Sequence, residues 1–121
     1  MRRTREYNMQ ILHNPRCSKS RQTLKLIQDA GVEPDVVEYL DSPPTIQRLD
    51  EILKMLDMEP QQLMRKGEAV YKELDIKNQN LSRREAIKLM IENPKLIERP
   101  IVIKGDKAVV GRPPENVNEL L

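Results

Sequence analysis

Apolar positions change their spacing several times along the chain, and each change marks an element. Tyr7-Asn8-Met9-Gln10-Ile11-Leu12 ends in an apolar pair and predicts a short strand. Residues 18–30 carry Leu24, Leu26, Ile27 and Ala30 at helical spacing, and Gly31 stands where a helix C-cap belongs. Val36-Val37-Glu38-Tyr39-Leu40 has the β-branched character of a second strand. Beyond Pro43-Pro44, Thr45 is placed to cap a helix with Ile46, Leu49, Ile52, Leu53 and Leu56 on its apolar face. A shorter helix from Pro60 leads to Arg65-Lys66, and residues 67–80 show no usable period. Ser82 followed by Glu85 is a capping box opening a helix with Ala86, Ile87, Leu89, Met90 and Ile91, stopped by Asn93-Pro94. Two strands, 101–103 and 108–110, are joined through Gly105-Asp106 as a tight hairpin, and a last short helix runs from near Pro114 to Leu121.

The order is β-α-β, a helical insert, then β-β-α. A strand, helix and strand within about forty residues make a parallel pair with a right-handed crossover. Adding an antiparallel hairpin to that pair predicts an α/β fold, thioredoxin-like, with a mixed four-stranded sheet and a helical insert. There are no repeats and no long linker, so residues 7–121 are expected to form one domain, preceded by a disordered basic arm over 1–6.

Composition narrows the function classes. With no Phe or Trp and three Tyr, the core must be aliphatic. Three Arg against one Glu in the first six residues account for the whole net charge of +2, so no basic face for nucleic acid is expected. No run of about 18 apolar residues is present and no apolar stretch follows the basic start, so neither a membrane span nor a secretory signal is expected. One Cys and one His exclude an intramolecular disulfide and a structural zinc site, and favour a reducing, cytoplasmic setting. No bound cofactor is expected.

The chemistry centres on Cys17. It sits between the first strand and the first helix, where free backbone N–H groups and the helix dipole favour a thiolate. Its neighbours Arg16, Ser18 and Lys19 do not suit a core position. His13, Cys17 and Arg21 form His-x3-Cys-x3-Arg. His13 could hydrogen-bond in the site, or favour the thiolate if protonated, and Arg21 returns to the same helix face. Thr23 stands where a Cys-x5-Arg phosphatase loop needs Arg, and Ser20 stands where a Cys-x-x-Cys pair needs a second thiol. Any disulfide or adduct at Cys17 must therefore be released by an external thiol. Pro100, directly before a strand, is a natural cis site in such a fold. Arg65, Arg99 and Arg112 each stand beside the end of an element, and an oxyanion needs several guanidinium forks, although spacing alone does not make these three converge.

HNPRCSKSRQTL, LMRKGE around Arg65, ERPIVI around Arg99 and Pro100, and GRPPE around Arg112 together resemble the glutaredoxin-coupled arsenate reductase family, including its homologues of unassigned substrate. The resemblance covers nearly the whole chain from Tyr7. It implies Cys17 as the nucleophile toward arsenate and Arg65, Arg99 and Arg112 as oxyanion-binding residues; His13, Arg21 and Pro100 are expected to support them by their spacing and place in the fold. It further implies glutathione as co-substrate and glutaredoxin as the protein that regenerates the thiol. A monomer with no resident metal is expected. Arg16, Ser18 and Lys19 are more similar to the homologues of unassigned substrate. Two rival functions stay open: a monothiol reductase of another oxyanion or of glutathionylated substrates, and a non-enzymatic regulator resembling the Spx proteins, which share this fold. Spx proteins usually carry the Cys-x-x-Cys pair that Ser20 breaks.

Overall fold

A computed structural model describes residues 9–121, so the expected arm over 1–6 and the first two residues of the predicted strand lie outside the described residues. The described residues form two compact units, one comprising residues 9–42 together with Arg99–Leu121, the other Pro43–Glu98. The expected helical insert is thus a compact unit in its own right.

The first unit holds β1 (Met9–His13), α1 (Ser18–Asp29), β2 (Asp35–Glu38), β3 (Ile101–Lys104) and β4 (Lys107–Val110), closed by a 3-10 helix over Pro114–Leu120. The sheet order is β2-β1-β3-β4, with β1 and β2 parallel and the other neighbours antiparallel. This is the mixed four-stranded sheet expected from the element order. Met9, Ile11, Ile27, Val102, Val117 and Leu120 form one buried cluster, with Leu24, Leu26, Val32 and Val109 packed against it. Each fully buried aliphatic side chain contributes on the order of 1.5–3 kcal/mol, and an aliphatic core suffices without large aromatics. Gly31 ends α1 with a φ of +84°, a left-handed conformation that glycine adopts freely. Gly105, at φ +61°, does the same in the β3–β4 turn.

Edge strand β2 is mostly exposed and shorter than expected. Tyr39, expected within it, lies in the following turn and is fully buried. Pairing with β1 stops at Glu38 because β1 itself stops at His13.

The second unit contains α2 (Ile46–Leu56), α3 (Pro60–Leu63), α4 (Ala69–Glu73) and α5 (Arg83–Glu92). Thr45 Oγ1 accepts from the Arg48 N–H, and Ser82 and Glu85 exchange both capping-box bonds, as expected. Leu49, Ile52 and Leu53 of α2 and Ala86, Ile87 and Met90 of α5 are buried, and the two helices pack together. The stretch without period holds α4, which buries no residue, and a 3-10 turn over Ile76–Asn78 that buries only Ile76.

Candidate active site

Strand register assembles the site. Leu12 opposes Ile101, and Ile101 opposes Val110. The residues just past these pairs, His13 and Asn14, Pro100, and Gly111, therefore gather at one end of the sheet.

The turn from β1 into α1 is held by short bonds. The Cys17 N–H donates to the Asn14 carbonyl at 3.0 Å. The Arg16 N–H donates to Asn14 Oδ1 at 3.0 Å, and the Asn14 N–H donates to Ser20 Oγ at 3.0 Å. Cys17, in extended backbone geometry, is the N-cap of α1. No side-chain hydrogen bond closes this cap as Ser or Asp would. Instead the open N–H groups of Ser20 and Lys19 favour the charged sulfur, and no acidic residue stands in the first turn to oppose it.

Two guanidinium groups join them. Arg112 Nη1 lies 3.7 Å from Cys17 Sγ and also donates to the Arg99 carbonyl at 3.0 Å. The Asn116 amide donates to the carbonyls of Val110 and Arg112, each at 3.1 Å, which fixes the backbone that carries Arg112. Partial burial pushes the Cys17 thiol up. The Ser20 N–H, Arg99, Arg112 and the Lys19 N–H together outweigh that and bring it down to about 7.

A direct consequence is measurable. The rate of Cys17 alkylation should rise with pH and reach half its maximum near 7, because the thiolate is the reacting form. A half-maximum at about 8.5 or above, the free-thiol value, would contradict this environment.

His13 is buried, and its Nδ1 lies 2.6 Å from Ser20 Oγ. Burial lowers its pKa, Glu38 raises it and Arg21 lowers it again, with a net fall. That fall disfavours a protonated His13 beside the thiolate, and the ring pairs with Ser20 instead. Arg21 is exposed and donates from Nη1 to the Pro15 carbonyl at 3.0 Å, stapling the turn before Cys17. The Arg99–Pro100 bond is cis, as expected, and so is Arg112–Pro113, which was not.

Arg65 belongs to the other unit. Its N–H donates to the Leu96 carbonyl beside the Met64–Ile97 bridge. Nε faces Glu68 at 3.2 Å and Nη1 faces Glu98 at 2.6 Å. Partial burial presses its pKa down, but Glu98 and then Glu68 outweigh that and raise it. The structure thus groups Cys17, Arg99, Arg112 and Pro100 in one unit and holds Arg65 with two carboxylates in the other.

No local sequence signal marks Asn14, Ser20, Thr23, Gly111 or Asn116 as site residues. Ser20 reads in the sequence only as a missing thiol, yet it is fully buried and links Asn14 to His13. Among the described residues, no group of three or more His, Cys, Asp or Glu could hold a metal ion. No described helix is long and apolar enough to cross a membrane.

A single cysteine capping the first helix of a β2-β1-β3-β4 sheet, with an Xaa-Pro bond entering β3 beside it, defines a thiol site on a thioredoxin-like scaffold. The family follows from comparison: residues 12–120 match the model of the ArsC family, and the chain belongs to that family. The Escherichia coli K12 protein "Uncharacterized protein YfgD" is 50% identical over 114 residues, covering 93% of this chain and 96% of its own. An arsenate reductase of Haemophilus influenzae is 46% identical over 112 residues, covering 92% and 97%. The solved structure of an arsenate reductase from Vibrio cholerae superposes with a TM-score of 0.90 at 44% identity, covering 93% of this chain and 97% of that one.

Proposed function

We propose that this protein reduces arsenate to arsenite, with Cys17 as nucleophile and glutathione and glutaredoxin as the source of external thiols. The observation that carries the reading is the Arg112 guanidinium 3.7 Å from the Cys17 sulfur, whose surroundings lower its pKa to about 7, with no second thiol in the chain. Arsenate is anionic and repels an attacking thiolate, so cationic donors beside the sulfur are what the reaction requires. Arg99 and Arg112 serve in that role, and the sequence resemblance adds Arg65 as the third.

The balance of the reaction fits one cysteine. The Cys17 thiolate displaces one oxygen of arsenate as water, forming an S–As bond. Glutathione displaces a second oxygen as water, which returns to arsenic when the sulfurs leave. Arsenic then takes two electrons from the two sulfurs, which leave joined as a disulfide while arsenite departs. Glutaredoxin returns Cys17 to the thiol. Chemistry that consumes reduced glutathione belongs in a reducing compartment, which supports a cytoplasmic setting.

The test is an assay of arsenite formation with each thiol source withheld in turn. Turnover is expected only with both glutathione and glutaredoxin. A single turnover without glutathione would refute the external-thiol step. One observation favours a second reading, reduction of another oxyanion: Glu68 and Glu98 already offset the charge of Arg65. In that case the same assay gives no arsenite at any thiol level.

A further inference from the structure

Gly111 stands directly before Arg112, at the end of β4. Its backbone is not in the left-handed region, which among the described glycines is occupied by Gly31 and Gly105. Conformational freedom therefore does not explain a glycine here; space does. A Cβ at this position would lie 2.6 Å from Thr23 Oγ1, 3.1 Å from Thr23 Cγ2 and 2.8 Å from the Pro100 Cγ. At Gly31, Gly67 and Gly105 a Cβ would meet nothing within 4 Å.

None of these neighbours yields easily. Thr23 is β-branched and fully buried on α1, and its hydroxyl donates to the Lys19 carbonyl at 2.8 Å. The Pro100 ring is buried and has no rotamer to swing aside. On the strand side the Gly111 N–H donates to the Pro100 carbonyl at 2.9 Å, and Asn116 holds the carbonyls on both sides of Gly111.

We propose that Gly111 is a positioning residue of the thiol site: its bare Cα lets the end of β4 press against Thr23 and Pro100, and that approach brings the Arg112 guanidinium to the Cys17 sulfur. The claim concerns the Cys17–Arg112 pair and holds whichever oxyanion is the substrate. At 3.7 Å, the Arg112 contact lies near the outer limit for an N–H donor to sulfur. A displacement of a few tenths of an ångström between β4 and α1 would break it.

Three variants read this out: Gly111→Ala, Thr23→Ala, and the two combined. The measurement is the pH midpoint of Cys17 alkylation, together with protection of the thiol by inorganic arsenate and by sulfate. Thermal melting reports whether each variant folds. Gly111→Ala is expected to raise the midpoint by about half a pH unit or more and to weaken anion protection several-fold. Thr23→Ala removes both of its atoms that crowd position 111, and with them the hydroxyl contact to the Gly111 carbonyl at 3.4 Å, so it is the reference against which the double variant is read. The double variant should fall between them, because the Pro100 contact remains. A Gly111→Ala midpoint equal to wild type overturns the proposal, as does a double variant shifted as far as Gly111→Ala. Should Gly111→Ala not fold, the double variant is compared with Thr23→Ala, and equal midpoints overturn it. Because the midpoint is read without substrate, failure of the arsenate assay leaves this result intact.

Discussion

Cys17→Ser is expected to lower arsenite formation by about 10⁴-fold or more, to the background of the assay, because the chain has no other thiol to take its place. Serine cannot supply the electron that a sulfur gives up on forming a disulfide, and its hydroxyl remains protonated at neutral pH. The loss should come without loss of structure. Position 17 is the N-cap of α1, and serine is among the preferred residues there. Melting temperatures measured across pH separate the two effects. A thiol whose folded pKa is depressed stabilises the fold fully above its unfolded value of about 8.5, and that contribution fades as pH falls through about 7. Wild type should therefore gain stability relative to Cys17→Ser between about pH 7 and 9. A variant that retains turnover would remove Cys17 from the mechanism.

The second large effect concerns the arginines. Arg112→Ala is expected to reduce kcat/KM for arsenate by about 10²-fold, the usual cost of deleting one donor to a developing anion. It should also raise the alkylation midpoint, because the same group faces the sulfur and holds the Arg99 carbonyl. Arg99→Ala should act in the same direction. Arg16→Ala, at an exposed position in the preceding turn, should change little. Arg65→Ala isolates the proposed third arginine, whose guanidinium is offset by Glu68 and Glu98. Steady-state arsenate kinetics with sulfate as competitor measure all four. If the three site variants keep wild-type turnover and anion affinity, the arsenate reading fails and the monothiol reductase becomes the better account.

Much of the scaffold was legible because its signals are local. Thr45, and Ser82 with Glu85, announce helix starts within four residues, and Gly105-Asp106 announces the hairpin. Cys17 was legible for the same reason, since a strand, a turn and a helix can be read on either side of it. The insert between Gly67 and Asn80 was not, because α4 buries no residue and leaves no apolar stripe to read. The support around the thiol was hidden for a different reason. Thr23 and Gly111 meet across 88 positions, and the Arg112 contact to Cys17 spans 95. Ser20 has a polar side chain with no local signature, and its importance comes from the fold placing it between His13 and Asn14. The direction of the His13 shift is not local either, since burial and Arg21 lower its pKa against Glu38.

The groups that hold the Cys17 sulfur ionised also govern how it departs. In a disulfide joining Cys17 to a small thiol, an incoming thiolate can strike either sulfur and expel the other. The sulfur of lower pKa leaves faster. With the Ser20 and Lys19 N–H groups and two guanidinium groups facing it, Cys17 is the better leaving group of the two. An attacking thiolate is thereby steered to the outer sulfur, and Cys17 departs as the thiolate.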